Sequence, residues 1–287
     1  VAGFANIREF ATAHEEGRTV VSHCRKLPGA AMVSTGGWWV DLSMGGGNPL
    51  TNYYAGSPLT ASTLDGTRGI WHGTNKSPQE TYLTGMALNT ITAGLVGHYK
   101  LLDYLLFYPF IDGDSADEQT MDNSVTLPRY TSGEGVYAML VTTGATTGGG
   151  VFTYSYIDSD GNPQTSPTIS CSVAASNVAS IVTSEPATAA GGNLWLRMAE
   201  GTKGIRSITS LTFSVPNGGV CALVLVKPLL DHTILEVNTP HEVNLVREGY
   251  RLPRIVDGAY LGLIMKCAAT VASSTLTGRF EFAWNSA

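Results

Sequence analysis

The side chains able to do chemistry are few and scattered. His232, Glu236 and His241 lie close together in the chain. Their spacing does not place two imidazoles on one helix face, as a zinc centre of the HExxH type requires. Asp112, Asp114, Asp117 and Glu118 fall in the run DGDSADEQTMD and offer oxygen ligands suited to Ca²⁺. An EF-hand loop needs Gly at its sixth position and Glu at its twelfth, and this run has neither, so it reads as a solvated acidic turn. Asp158-Ser-Asp-Gly161 is a second fragment of that kind. A tight turn asks for the same Asp and Gly residues, and a turn is the expectation. The four cysteines, Cys24, Cys171, Cys221 and Cys267, contain no CxxC pair and no Cys/His ladder of zinc spacing. Three sit among apolar or small residues and read as buried thiols suited to a reducing compartment, with two disulfide bridges as the alternative.

Motifs that build reaction centres are missing. No GxSxG elbow exposes a nucleophile, no GxxxxGK[ST] loop cradles phosphates and no GxGxxG follows a strand. Paired carboxylates for glycoside hydrolysis come together in space, and the sequence marks none as special. The expectation is therefore no catalytic residue, no cofactor site and no metal site. Arg247, Arg251 and Arg254, with Glu248 among them, form the one local basic cluster and read as solvated surface or interface ion pairs. A net charge of −6 argues against direct nucleic-acid binding, which needs a concentrated basic surface. No run reaches the roughly 20 apolar residues of a membrane helix, and no signal-peptide pattern opens the chain.

The elements that would position any site are strands. Val151–Ile157 and Gln164–Cys171 flank the turn Asp158-Ser-Asp-Gly-Asn-Pro163, and strand-forming aromatic and β-branched residues on both sides predict a β-hairpin. From Val125 onward, candidate strands are 125–129, 135–142, 151–157, 164–172, 178–183, 193–198, 205–215, 219–227, 232–237, 243–247, 260–272 and 276–284. Turn signals separate them, among them Glu185-Pro186, Gly191-Gly192 and Pro216-Asn-Gly-Gly219. Val220–Val226 is apolar on both faces and belongs mid-sheet or between two layers. Earlier in the chain, residues 4–16 carry Phe4, Ile7, Phe10 and Ala11 near one helix face, with Gly17 as the stop. Residues 19–26 read as a strand, and so does the run from Leu95 to Ile111, although its apolar character on all sides also fits a helix. The expected fold is mainly β: an antiparallel β-sandwich of jelly-roll type with a short N-terminal helix and long Gly/Pro-rich loops. Residues 1–122 would supply the N-terminal arm, the loops and part of the β core. Residues 123–287 would form the all-β sandwich, and the two parts can be one continuous domain.

Residues 29–82 form a long Gly/Pro-rich region that is unusually aromatic. Loops of this length are functional or clamped by a neighbour. Three uses are open for Trp38, Trp39, Tyr53, Tyr54 and Trp71: packing on their own domain, packing on a partner subunit, or stacking on sugar rings. With Phe4 and Phe10 of the arm, they are the interface candidates. Charged residues make up only 14% of the chain, which leaves little repulsion between copies and permits assembly.

Four strings carry a likeness: Gly37-Trp-Trp-Val-Asp-Leu-Ser-Met-Gly45, Leu101-Leu-Asp-Tyr-Leu-Leu-Phe-Tyr-Pro-Phe-Ile-Asp112, Met121-Asp-Asn-Ser-Val-Thr-Leu-Pro-Arg-Tyr130 and Ser214-Val-Pro-Asn-Gly-Gly219. They are similar to structural proteins of tailed-bacteriophage virions, some of which coat the head as cement or decoration proteins. The resemblance implies a non-enzymatic β protein, assembled in the host cytoplasm and then part of the particle. Its partners would be the major capsid protein and other copies of itself, as a dimer or trimer. A tail, collar or fibre component is the alternative within that class, and a carbohydrate-binding jelly roll the alternative outside it.

Overall fold

A computed structural model describes residues 4, 6–29, 32, 36–64, 66–147, 149–172, 177–184, 192–249, 251–271 and 273–286, with the side chains of residues 171 and 172 left aside. The turn signals at Glu185-Pro186 and Gly191, and the Cys171 thiol, lie outside what is described. One helix opens the chain, α1 (Ile7–Glu15). Asn6 caps it by accepting the Glu9 N–H on Oδ1 at 3.0 Å, and Gly17 at φ +70° ends it, as a left-handed C′ residue should.

Nineteen strands follow among the described residues. The first seven are β1 (Thr19–Leu27), β2 (Trp39–Asp41), β3 (Gly46–Asn48), β4 (Ser62–Thr63), β5 (Thr81–Thr90), β6 (Gly97–Asp112) and β7 (Gln119–Thr120). The next six are β8 (Tyr137–Thr142), β9 (Gly150–Asp158), β10 (Pro163–Thr165), β11 (Ile169–Ser172), β12 (Ser180–Ile181) and β13 (Thr183–Ser184). The last six are β14 (Ile205–Val215), β15 (Val220–Ile234), β16 (His241–Asn244), β17 (Arg254–Ile255), β18 (Tyr260–Cys267) and β19 (Leu276–Trp284).

At the centre, the order β15-β8-β12-β2-β18-β6 returns to β15 through the β6–β15 pairing and closes six strands into a barrel. β4 continues the sheet along β6 beyond the end of β18. One flanking sheet runs β16-β5-β19-β1-β3, with β17 beside β5. The other runs β13-β11-β9-β14-β7, with β10 completing the expected hairpin on β9. All these strand pairs are antiparallel. The barrel takes β2 and β6 from the first 122 residues and its other four strands from the rest.

Strand β15 explains the apolar runs. Ala222, Val224 and Val226 fill the barrel interior, while Cys221, Leu223 and Leu225 point outward onto the β9/β14 sheet. Successive side chains leave a strand on opposite faces, so a strand buried on both sides is apolar at every position. On the other flank, Tyr99, Leu101, Leu263 and Met265 of the barrel pack against Met86, Leu88, Phe280 and Phe282. Each fully buried Leu or Phe side chain contributes about 1.5–3 kcal/mol.

Several expected boundaries move. Residues 219–227 and 232–237 are not two strands. β15 runs unbroken to Ile234 because register shifts, one of them between Pro228 and Leu230, absorb the proline that cannot donate to the ladder. Residues 125–129 and 193–198 contain no strand longer than an isolated bridge, and β18 stops at Cys267 rather than 272. β5, inside a stretch read as loop and undecided chain, is a full interior strand of its sheet, between β16 and β19. The run 95–111 is the strand β6.

Candidate functional site

The aromatic segment 49–72 lies along the seam where β18 gives way to β4 beside β6. Leu64 N–H donates to Leu105 O at 3.1 Å, Gly66 N–H to Gly258 O at 3.0 Å and Ile70 N–H to Leu261 O at 2.8 Å. This track sends neighbouring aromatics in opposite directions. Tyr54 turns into the barrel, held at φ +48°, where its hydroxyl donates to Asp41 Oδ2 and its ring meets Phe107 at 5.4 Å. Tyr53 stays 71% exposed, and Trp71 is 54% exposed. Likewise Trp39 fills the barrel while Trp38 is half-buried against the core beside it.

The interface candidates therefore separate. Trp39 and Tyr54 are core residues and have no surface to offer a partner. Phe4 and Phe10 pack on each other at 5.4 Å, and Phe4 reaches Tyr82 at 5.9 Å, which fastens the arm to β5. Of the seven, Tyr53 and Trp71 alone are largely exposed.

Two buried polar clusters brace the barrel. Asp41 Oδ1 accepts the Ser43 N–H at 2.8 Å and the Tyr104 hydroxyl at 2.8 Å. Burial raises the Asp41 carboxyl above its ordinary value, the hydrogen bonds oppose that rise, and both tyrosines are pushed well up. Lys26 Nζ, lowered to about 8 by burial, donates to Pro49 O at 2.9 Å. A lysine so placed could act as a nucleophile, but the cavity beside it is about 10 Å³, room for at most a water. The second cluster is the ion pair of Arg129 with Asp103. Nε donates to Oδ2 at 2.9 Å and Nη2 to Oδ1 at 2.7 Å, while Nη2 also reaches Leu64 O and Tyr104 O. No motif pointed to Arg129; its partners Asp103 and Leu64 lie 26 and 65 residues away in the chain, beyond any local pattern.

Several sequence candidates for metal chemistry hydrogen-bond to the backbone of turns. Asp158 Oδ1 accepts the backbone N–H groups of Asp160 and Asn162, and these bonds, that of Asn162 foremost, lower its carboxyl below the usual range. His232 Nε2 meets His241 O at 3.0 Å, and His241 Nε2 accepts from Leu235 and Glu236 N–H, so both rings brace the 235–240 turn. In the acidic run, Asp112 Oδ1 accepts Asp114 N–H and Gln119 clamps the Asp112 backbone. Among the described residues, no three His, Cys, Asp or Glu side chains converge as ligands. Cys24, Cys221 and Cys267 are buried and form no disulfide, and burial pushes the Cys24 thiol up to about 12.

Nine large apolar side chains stand exposed among the described residues, Ile7, Val21 and Leu50 among them. Besides Tyr53 and Trp71, Ile91 (68%) and Leu235 (75%) stand exposed at one corner, where Asn238 N–H donates to Thr90 O at 2.8 Å. Phe110 and Val215 stand exposed at another, where Asn217 N–H donates to Gly113 O at 3.0 Å. Comparison with known proteins adds no relative: no family model, no curated protein and no solved structure matches this chain.

Proposed function

We propose that this chain is a non-enzymatic structural protein of a tailed-bacteriophage virion, a cement or decoration protein that stabilises the head by bridging capsid subunits. One observation carries the reading. The two exposed apolar corners lie at opposite ends of the β6–β15 ribbon: Leu235 follows Ile234, the partner of Gly97, and Phe110 and Val215 flank the end where Asp112 pairs with Val220. At roughly 3.3 Å per residue they are about 40 Å apart. Phe110 is also held at φ +58°, a costly conformation for an aromatic residue that here keeps its ring in solvent. Single exposed apolar residues are ordinary, but paired ones at both ends of one long antiparallel ribbon fit a strut between two neighbours. The neighbours are the major capsid protein and other copies of the chain. The likeness of its strings to virion proteins and its low charge density point the same way.

The test uses particles with and without the protein. Phe110→Ser with Val215→Ser, and Ile91→Ser with Leu235→Ser, alter one end each. Each pair should leave particles decorated but less heat-tolerant, and the four changes together should empty the decoration sites. Full occupancy and unchanged heat tolerance for the fourfold variant refute the proposal. Immunogold labelling on the tail rather than the head moves the protein to the tail, collar or fibre class.

A further inference from the structure

Strand β1 is paired on both sides only near its end. β19 runs beside it without a register shift from Thr19 to Lys26, while β3 joins the other side only from Arg25 to Leu27. Trp284 N–H donates to Arg18 O at 3.1 Å, so the even-numbered residues of β1 turn their backbone groups toward β19. Thr19, Val21 and His23 turn theirs away. On that side Asn48 Nδ2 donates to His23 O at 3.1 Å. The N–H groups of all three residues, and the carbonyls of Thr19 and Val21, meet no partner among the described residues. We infer that this open edge pairs with the same edge of a second copy, antiparallel about a twofold axis at Val21, so that two chains share one continuous sheet. The pairing does not rest on the virion reading.

The length of the edge fixes the register. Gly17 and Arg18 turn the chain out of α1 at one end, and β3 takes over from Arg25 at the other. Between them lies the window Thr19–His23, whose midpoint is Val21. Setting Val21 against Val21 of the second copy puts Thr19 against His23 on either side. Every outward donor then faces an outward acceptor, about six backbone hydrogen bonds in all. The side chains agree: two valines meet at the axis, and no charge opposes a like charge. Native edges are blunted by shortness, a charge, a proline or a bulge. β3, β4, β7, β13 and β17 are two or three residues long. Thr19–Cys24 carries none of these devices: it has no Lys, Arg, Asp, Glu or Pro and no break in its register. Apolar side chains flank it. Val21, Leu50 and Trp71 are exposed. Leu50 follows Pro49, whose carbonyl accepts from Lys26 Nζ of β1 at 2.9 Å. Trp71 lies two residues before Gly73, where a Cβ would stand 3.6 Å from Val20 Cγ1. In strand addition the backbone bonds supply affinity and such side chains select the partner; a patch that complements itself about a twofold axis selects its own copy.

Sedimentation velocity of the free full chain should show a dimer at micromolar concentration. Val21→Lys sets two ammonium groups face to face across the axis and should raise the dissociation constant at least about tenfold. Val21 is exposed and its N–H is not used by β19, so the variant should melt where the parent does when both are diluted to monomers. A second variant tests the geometry without disturbing the strand. Val21→Cys should be joined into a dimer by a short bismaleimide reagent, while the parent and Ile91→Cys, exposed elsewhere, should not. The inference fails if the parent is a monomer throughout, if its dimer survives Val21→Lys unweakened, or if Val21→Cys does not cross-link. A trimer refutes it too, since a twofold edge admits two copies. A chain that is monomeric when free, but whose β1 amides resist hydrogen exchange on the particle, assigns the edge to a strand of another protein and overturns it. The measurements use free protein, and particle heat tolerance tests the bridging role alone.

Discussion

Arg129→Met puts the internal bracing to a quantitative test. Arg129 and Asp103 are both buried, with side chains 5% and 0% exposed, and the guanidinium holds the carboxylate by two bonds of 2.7 and 2.9 Å. Removing one partner of a buried pair strands the other charge and costs about 3–5 kcal/mol. A domain has about 5–15 kcal/mol in all, so the variant should lose about a fifth or more of its stability. At roughly 2–4 °C per kcal/mol, its melting point should fall about 6–20 °C. The loss should depend on pH. Burial pushes Asp103 up to about 6 even with Arg129 opposing it; without Arg129 the carboxyl rises further. Its folded value then lies above the unfolded value of about 3.9, so the folded state binds the proton more tightly and stability rises as pH falls through the folded value. Urea unfolding followed by Trp fluorescence at about pH 8 and about pH 5 should show the larger loss at the higher pH, by at least about 1 kcal/mol. Adding Asp103→Leu to Arg129→Met should recover much of the loss, because no charge is then stranded. A loss under about 1 kcal/mol, equal losses at both pH values, or a double variant as unstable as the single would refute the account.

Other measurements probe other parts. Gly262→Ala places a Cβ 2.7 Å from Tyr104 Cε2 inside the barrel, and that ring cannot swing away while its hydroxyl is bound to Asp41; calorimetry should show a loss of about 1–3 kcal/mol from overpacking. Tyr104→Phe removes one of the donors to the buried Asp41 carboxyl and should cost about 1.5–3 kcal/mol in denaturant titration, with near-zero cost counting against a bracing role. Cys24, Cys221 and Cys267 should resist a thiol reagent at about pH 8 in the folded protein and react once it is unfolded, as mapped by peptide mass spectrometry.

Local chemistry determined a good deal. Gly17 was legible as the stop of the helix, while the Asn6 cap starts it at Ile7 rather than at residue 4. Ile205–Val215 and Leu276–Trp284 were legible as strands at their observed limits, because alternating patterns between Gly, Pro and Asn turns need no distant information. The two-sided apolar run of β15 announced a strand buried between layers. Closure into a barrel was not legible. The pattern of a strand says that both faces are covered, and a sandwich or a barrel covers them equally well. The choice rests on which edges pair, and β6 meets β15 and β18 across more than a hundred residues of chain. The same holds for the site. Trp38 and Trp39, or Tyr53 and Tyr54, are alike as residues and adjacent in sequence, yet one of each pair turns into the barrel. Only the folded track of the backbone past Asp41 selects which, since a side chain's direction follows from the register of a strand with partners the local sequence does not name.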